Sequence, residues 1–107
     1  MEEFVKGEIV VIDFPFSSGE TKKRPALVLV NLKGEDIILC QITSTIKENS
    51  IEIKKSDFEK GQLNQTSYVR IQKIFTLEKK NIKYKIGNLT KNKIFEIEKE
   101  LIKLFTI

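Results

Sequence analysis

The first half of the chain alternates between short apolar runs and polar breaks. Residues 8–14, 26–31 and 37–42 form three runs rich in Val, Ile and Leu. β-Branched residues favour strands, and runs this short are more typical of strands than of helices. The breaks between the runs contain Gly with Ser, Pro or charged residues, which are residues that form turns. The pattern therefore predicts an antiparallel meander of three strands.

The second half adds further strands. Residues 51–53, 66–75 and 82–86 alternate between apolar and polar positions, which is the period of a strand with one covered face. Residues 56–62 and 76–81 lack this alternation, so 56–62 is predicted to be a turn and 76–81 a turn or a single helical turn. In the strand at 66–75, the period places three side chains on one partly polar face, where they are expected to line a groove. They are Tyr68, Arg70 and Gln72.

Residues 91–105 have the periodicity of a helix that ends the fold. Thr90 is placed to be its N-cap, because a threonine hydroxyl accepts a hydrogen bond from the free backbone N–H groups of the first turn. Apolar residues then recur at helical spacing over a wide stripe. A stripe this wide predicts burial against the sheet on one side and against a partner subunit on the other. It comprises Ile94, Phe95, Ile97, Leu101, Ile102, Leu104 and Phe105.

Length and composition limit the class of protein. The 107 residues are enough for one domain with a modest core, which dimerisation would help to stabilise. No apolar run approaches the roughly 20 residues of a membrane span, and the acidic N-terminus lacks the apolar core of a signal peptide, so a cytoplasmic protein is expected. The formal charge of +4 and pI of about 9.2 favour an anionic partner such as RNA or an acidic peptide, although a solvated lysine-rich surface explains them equally well.

The single cysteine and the absence of histidine limit the possible chemistry. Cys40 stands within an apolar run, so it is expected to be a buried packing residue rather than a reactive thiol. The sequence has no histidine, which excludes a Ser-His-Asp triad, histidine acid–base catalysis and the usual zinc sites. Catalysis would depend on arginine, lysine, carboxylates and hydroxyls, and no cofactor is expected.

Five short motifs follow one another along the chain. They are Gly7-Glu8-Ile9, Asp13-Phe14-Pro15, Lys23-Arg24-Pro25-Ala26-Leu27-Val28, Ile42-Thr43-Ser44 and Gly87-Asn88-Leu89. In this order and spacing, the sequence resembles the MazF/PemK family of toxin endoribonucleases over most of its length. The resemblance implies a mostly β (α+β) fold in a single domain spanning residues 1–107. That fold is a small SH3-like antiparallel barrel, of five to seven strands, closed by the C-terminal helix.

The resemblance also implies roles for individual residues. Arg24 matches the family arginine that contacts the scissile phosphate, and Thr43 matches the threonine beside it, whose hydroxyl stabilises the anion. Arg70 matches an arginine that takes part in acid–base catalysis in some members. Those members tend to have an aspartate two residues later, where this chain has Gln72. The general base is therefore unassigned, and Glu20 is the remaining carboxylate candidate.

Neighbouring residues are candidates for contacts with RNA. The loop from residue 14 to residue 23 is expected to border the RNA groove, where an aromatic ring stacks on a base and lysines contact phosphates. A core or dimer contact is an equally good interpretation of the aromatic residue Phe16. The candidates are Phe16, Lys22, Lys23, Ser44 and Gln72.

These inferences predict a toxin of a type II toxin–antitoxin system that cleaves single-stranded mRNA at specific sequences. The resemblance implies cleavage without metal, to a 2′,3′-cyclic phosphate and a 5′-hydroxyl. It also implies a homodimer with RNA across its interface, and an acidic, disordered antitoxin segment that blocks the same groove. Two alternatives stay open. The barrel can belong to a toxin that binds a protein such as DNA gyrase, since fold does not fix function, or to a relative that binds RNA or a partner without cleaving RNA.

Overall fold

A computed structural model describes residues 3–107, which form seven β-strands and one α-helix. Single turns of 3-10 helix at 55–57 and 79–81 precede β5 and β7. No helix within residues 3–107 has both the length and the apolar character that a membrane crossing requires. In chain order, the elements are β1 (Glu8–Pro15), β2 (Thr21–Asn31), β3 (Asp36–Thr43), β4 (Ser50–Ile53), β5 (Phe58–Lys60), β6 (Ser67–Glu78), β7 (Ile82–Leu89) and α1 (Lys91–Phe105).

The seven strands form one antiparallel sheet in the order β4-β6-β3-β2-β1-β7-β5. The meander of β1, β2 and β3 occupies the middle of the sheet, as the short apolar runs indicated. The long strand β6 pairs with both β3 and β4. The sheet curls into a half-barrel, and α1 follows β7, the last strand of the chain. The predicted fold class, an antiparallel β domain of five to seven strands with a C-terminal helix, is confirmed.

Both faces of the central strands are covered by apolar side chains. In β1, Ile9 and Val10 are both fully buried although they point to opposite faces. Ile9 belongs to a cluster that includes Ile97 of α1, so the helix covers that face. Val10 belongs to a second cluster on the other face, with Leu39 of β3. This two-sided burial explains why the first run is apolar throughout instead of alternating.

The helix begins where the sequence predicts. The hydroxyl oxygen of Thr90 accepts a hydrogen bond from the backbone N–H of Lys93, at 3.2 Å, which caps the first turn. Gly7 lies directly beneath the helix, because a Cβ built there would come within 2.2 Å of the Ile94 side chain. The helix therefore packs closely on the start of β1, and the predicted N-cap and helix bounds are confirmed.

The loop predicted at residues 14–23 is too long. β1 extends to Pro15 and β2 begins at Thr21, so Lys22, Lys23 and Arg24 all belong to a strand. They are held by backbone pairing with β1. Pairing with β1 extends β2 back to Thr21. Backbone hydrogen bonds between antiparallel strands do not require apolar side chains, so the pairing continues beyond the apolar part of both strands. The loop of the hairpin is accordingly shorter than predicted, at residues 16–20.

Two predicted turns also contain strand. The segment 56–62 includes β5, which pairs with the end of β7 at Phe58 and Lys60. The segment 76–81 includes the end of β6, which extends to Glu78 because it pairs with Asp36 at the start of β3. Three residues of strand in β5 carry too little pattern to be recognised from sequence alone. β6 ends at Glu78 because its partner strand, β3, begins at Asp36, the residue that pairs with Glu78.

The predicted alternation of β6 is correct only as far as Ile71. Gln72 and Lys73 are both exposed, so the period of two is broken between them. The pairing with β3 has an irregularity at the same place, since Cys40 pairs with Ile74 but Ile42 pairs with Val69. Such an irregularity turns the side chains that follow to a different side of the strand. Gln72 therefore does not share a groove with Arg70.

Cys40 has the packing role that the sequence predicts. Its side chain is fully buried in β3, and its thiol donates a hydrogen bond to the backbone carbonyl of Arg70 in β6. Burial is the main cause that raises the pKa of this thiol to about 12. The thiol therefore stays protonated at neutral pH and ties β3 to β6 behind Arg70.

Candidate functional site

A cavity of about 470 Å³ opens where β2, β3 and β6 meet two loops. The strands supply Arg24, Thr43 and Arg70, which lie far apart in the sequence. The loops are 44–49, after β3, and 61–66, before β6. Fourteen residues line the cavity. They are Phe16, Arg24, Pro25, Gln41, Ile42, Thr43, Ser44, Thr45, Lys47, Leu63, Asn64, Gln65, Ser67 and Arg70.

The lining of this cavity carries positive charge only. Arg24, Lys47 and Arg70 contribute three cations, and the lining contains no aspartate or glutamate. No carboxylate in residues 3–107 forms an ion pair with any of the three. Both arginines of the sequence are among these cations, although most of its basic residues are lysines. Because no carboxylate in the described residues neutralises these cations, the cavity attracts an anion with several acceptor oxygens.

Arg24 extends from the middle of β2 beside an aromatic ring. Pro25 follows it and keeps the backbone extended, and Arg24 pairs with Ile12 of β1. The centre of its guanidinium group lies 5.6 Å from the centroid of the Phe16 ring. This distance is within the range of a cation–π interaction. Phe16 is 36% exposed, so it lies at the rim of the cavity rather than in the core.

Thr43 is the last residue of β3 and is half-buried at the cavity. Its hydroxyl oxygen accepts a hydrogen bond of 3.2 Å from the backbone N–H of Thr45, which holds the side chain in place. The hydroxyl proton is not used in that bond, so it is free to be donated to a ligand. Ser44 follows it in the lining and is exposed.

Arg70 reaches the cavity from β6, which is separated from the strand that carries Arg24 by β3. It pairs with Ser50 of β4, and its own carbonyl accepts the bond from the Cys40 thiol. The side chain is half-buried. Its backbone is therefore fixed on both sides, which gives this arginine a firmer base than one at a strand edge.

Four of the candidate site residues lie outside the cavity lining. Glu20 is exposed in the 16–20 loop, where its backbone carbonyl accepts a hydrogen bond from Phe16 N–H. Lys22 is exposed, with its ammonium group 5.6 Å from the Phe16 ring. Gln72 lines a separate cavity of about 280 Å³ near the end of α1. The fourth residue, Lys23, belongs to an ion-pair cluster.

Lys23 points away from Arg24 because neighbours in a strand face opposite sides. Its ammonium nitrogen lies 3.6 Å from a carboxylate oxygen of Asp13, and that of Lys83 lies 3.1 Å from the other oxygen. The hydrogen bond from Lys83, aided by the charges of Lys83 and Lys23, lowers the pKa of Asp13 below its ordinary value. This cluster binds Lys23 to β1 and β7, on the side of β2 that faces away from the cavity.

Four residues of the lining with an amide or ammonium group were not among the sequence-based candidates: Gln41, Lys47, Asn64 and Gln65. Gln41 could have been recognised from the sequence, because it is a lone amide between the apolar residues Cys40 and Ile42, which are both buried. The others stand in polar loops that have no distinguishing pattern. Their position depends on how two loops fold back over the sheet, which a single sequence does not encode in any short motif. No group of three or more His, Cys, Asp and Glu side chains in residues 3–107 is placed to hold a metal ion.

A family model described as PemK-like, MazF-like toxin of type II toxin–antitoxin systems matches residues 5–105 of the chain. The match includes all five motifs and every residue of the cavity. The chain belongs to this family. The family inferred from the ordered motifs is therefore confirmed. No curated protein matches the sequence.

Solved structures with the same fold cover nearly the whole chain. An endoribonuclease in complex with its cognate antitoxin, from a mycobacterial species, superposes with a TM-score of 0.78 at 19% identity, covering 100% of this chain and 97% of that one. The MazE-MazF structure from Deinococcus radiodurans gives 0.75 at 17% identity, covering 100% and 99%. The Mycobacterium tuberculosis toxin MazF-mt6 gives 0.70 at 17% identity, covering 92% and 97%. At these identities the likeness establishes the fold.

Proposed function

We propose that this family member is a toxin endoribonuclease that cleaves single-stranded mRNA at specific sequences without a metal ion. One observation carries the proposal. Both arginines of the sequence, Arg24 and Arg70, converge with the hydroxyl of Thr43 on a cavity whose lining has no carboxylate. A phosphodiester has the charge and acceptor oxygens that such a cavity fits. The endoribonuclease among the similar structures is consistent with this substrate.

The proposed reaction is an internal transfer within the RNA. The 2′-oxygen attacks the adjacent phosphorus, the bond from phosphorus to the 5′-oxygen breaks, and the products are a 2′,3′-cyclic phosphate and a 5′-hydroxyl. Arg24 holds two oxygens of the phosphorane, because its planar fork matches them. Thr43 donates its free hydroxyl proton as a further hydrogen bond to the same charge. Arg70, from β6, stabilises the charge that develops on the leaving 5′-oxygen, which then takes a proton from water to become the 5′-hydroxyl.

The proton of the 2′-hydroxyl requires an acceptor, and we keep Glu20 as the candidate. Its carboxylate lies on the 16–20 loop, next to Phe16, which lines the cavity. This role requires the loop to move toward the bound RNA. Lys23, which is paired with Asp13 on the other side of β2, and Gln72, which lines a separate cavity, are left out of the proposed RNA contacts. Ser44 extends the phosphate-binding wall, and Lys22 contacts the RNA beside Phe16. These contacts position the strand without specifying its sequence.

The proposed assembly is a homodimer of single-domain chains, each of residues 1–107, that binds RNA and an antitoxin at the same surface. An acidic, disordered antitoxin segment complements the unpaired cations of the cavity and folds as it binds. The mycobacterial endoribonuclease is in complex with its cognate antitoxin, which supports a comparable partner here. An mRNA substrate implies that the protein acts in the cytoplasm.

The test is cleavage of a long RNA of mixed sequence in the presence of EDTA, with product ends mapped by primer extension. The wild type is compared with Arg24→Ala and with Lys33→Ala, which removes an exposed charge in the β2–β3 turn. Loss of a positioned donor to a transition-state oxyanion costs roughly 100-fold to 1,000-fold in rate. We expect that loss for Arg24→Ala and near-normal rates for Lys33→Ala. Glu20→Gln joins the series, and an unchanged rate for it would remove Glu20 as the base.

The outcomes distinguish the proposal from its alternatives. Discrete cuts with 5′-hydroxyl ends in the wild type, lost in Arg24→Ala while its melting curve is unchanged, support the endoribonuclease. Equal cleavage by Arg24→Ala would refute the role of this arginine. Binding of RNA without any product would show a relative that does not cleave. No binding and no product, from protein free of antitoxin, would redirect the search to a protein target such as DNA gyrase.

A further inference from the structure

A row of three aromatic rings connects the core of the protein to Arg24. Phe75 of β6 and Phe14 of β1 both pack against the buried cluster that contains Val10. Their rings meet edge to face, with centroids 5.7 Å apart and an interplanar angle of 88°. Phe14 meets Phe16 in the same way, at 5.8 Å and 64°. The Arg24 guanidinium then lies 5.6 Å from the Phe16 ring.

The local sequence explains why Phe16 stands there. Its backbone N–H donates to the carbonyl of Glu20, at 2.9 Å, and its carbonyl accepts from the N–H of Gly19, at 3.0 Å. Gly19 has a φ of +89°, a conformation that glycine adopts without strain. These bonds close the hairpin tightly between the end of β1 and the start of β2. Phe16 is therefore held by its own loop and braced by Phe14 from below.

Lys22 and Arg24 share this ring because residues two apart in a strand face the same side. The ammonium group of Lys22 lies 5.6 Å from the Phe16 centroid, the same distance as the Arg24 guanidinium. No carboxylate in residues 3–107 forms an ion pair with either cation. The ring is thus the neighbour that orients both charges in the described part of the chain.

The geometry points to Phe16 as a positioning residue that holds the Arg24 guanidinium in its orientation for the scissile phosphate. This inference rests on the proposed function for its consequence in catalysis, but the positioning itself is independent of RNA. It differs from the sequence-based expectation that Phe16 stacks on a base. The Phe16 ring contacts two cations and packs against Phe14. It therefore affects the phosphate by orienting Arg24, and it does not stack on a base.

The two roles separate in kinetics. A positioning residue acts in the transition state, so its loss lowers kcat more than it raises KM. A base-stacking residue contributes to binding in both states, so its loss mainly raises KM. We expect Phe16→Leu to lower kcat by about 10-fold with little change in KM. Phe16→Tyr, which keeps the ring, should restore most of the rate. Tyr84→Leu removes an exposed aromatic ring from β7, outside the cavity lining, and should leave cleavage unchanged.

A second measurement tests positioning without RNA. The chain has two arginines, so its ¹H–¹⁵N spectrum contains two arginine Nε–Hε signals, and Arg24→Lys assigns them by removing one. The ring current of Phe16 should displace the Arg24 signal. We expect Phe16→Leu to move that signal toward its free-peptide position, Phe16→Tyr to preserve it, and Arg70 to be unaffected in both variants.

The combined results leave each outcome decisive. An Arg24 signal that does not move in Phe16→Leu would overturn the positioning inference whatever the cleavage data are. A signal that moves, with KM raised and kcat unchanged, would overturn it in favour of base stacking. A signal that moves in a protein whose wild type cleaves no RNA would retain the positioning of Arg24 and refute the proposed function alone.

Discussion

At the scale of single residues, Asp13 pairs with two lysines outside the cavity lining, one in β2 and one in β7. Its carboxylate lies 3.1 Å from the ammonium nitrogen of Lys83 and 3.6 Å from that of Lys23. It thereby binds Lys23 on one face of β2, while Lys22 and Arg24 occupy the other with Phe16. Lys23 is therefore neutralised in place, and the positive charge of the cavity comes from other cations.

We predict that Asp13→Asn destabilises the fold at neutral pH and that the deficit disappears in acid. The lysines lower the folded-state pKa of Asp13, so the ion pairs contribute stability above the unfolded-state pKa of about 3.9. That contribution is lost as the pH falls through the folded-state pKa, where the carboxyl is protonated in both states. Urea unfolding at pH 7 and at successively lower pH measures it. Asp36→Asn, at an exposed carboxylate without an ion pair in residues 3–107, is the control. A deficit that is constant with pH would exclude the ionic explanation.

Single residues were predictable where a motif fixes them and unpredictable where a loop does. Arg24, Thr43 and Arg70 could be proposed because each stands at a definite place in a strand with a recognisable neighbour. Gln72 was misplaced because an irregularity in the pairing of β6 with β3 breaks the two-residue alternation of the strand. No residue type in 66–75 indicates that irregularity. Lys47 lines the cavity from a loop, and only the folded chain brings it there.

At the scale of elements, the loop 61–66 contributes two side-chain amides to the lining of the cavity. Gly61 fixes the start of this loop against β7, since a Cβ there would lie 2.1 Å from the carbonyl oxygen of Ile86. The loop then presents Asn64 and Gln65 to the cavity and also to an adjoining cavity of about 230 Å³. Side-chain amides carry both a donor and an acceptor, which is what the recognition of base edges requires.

We predict that the double variant Asn64→Ala/Gln65→Ala still cleaves RNA but accepts more sequences. A lost pair of hydrogen bonds to a base edge relaxes discrimination at that position by roughly 5-fold to 150-fold. Mapping the cut sites of the wild type and the variant on the same RNA, by primer extension, measures this change. Gln62→Ala, an exposed amide of the same loop outside the lining, is the matched control. An unchanged cut pattern with lower rates throughout would assign the loop to phosphate contact instead of base recognition.

The elements differ in how much of them a sequence reveals. The three central strands and α1 were recognised because burial on one or both faces imposes a strict pattern of apolar residues. The charged start of β2, the three residues of β5 and the end of β6 were missed. Each of these exists because a partner strand continues beside it, and pairing through the backbone leaves no signature in the side chains.

At the scale of the whole molecule, the charged cavity contrasts with an apolar surface on α1. Phe95, Ile102 and Phe105 are spaced by seven and three residues, so they project from one side of the helix. Their exposed fractions are 62%, 61% and 71%. The opposite side of the helix holds Ile97, which is buried against the sheet. The wide apolar stripe seen in the sequence is thus divided between the core and an open face, and a contiguous exposed apolar patch marks an interaction surface.

We predict that this open face forms the homodimer interface and that Ile102→Glu converts the protein to a monomer. Burying a carboxylate without a partner in an apolar interface is strongly unfavourable, so one charge at the centre of the stripe should be enough to prevent dimerisation.

Size-exclusion chromatography with light scattering, at micromolar concentration, compares Ile102→Glu with Asn92→Glu. The control adds the same charge at an exposed position of the first turn. A wild type that is monomeric at all concentrations would contradict the prediction and assign the face to another partner. If the dimer forms and Ile102→Glu abolishes both it and RNA cleavage while its cavity residues are intact, then RNA bound at one cavity must also contact the second subunit.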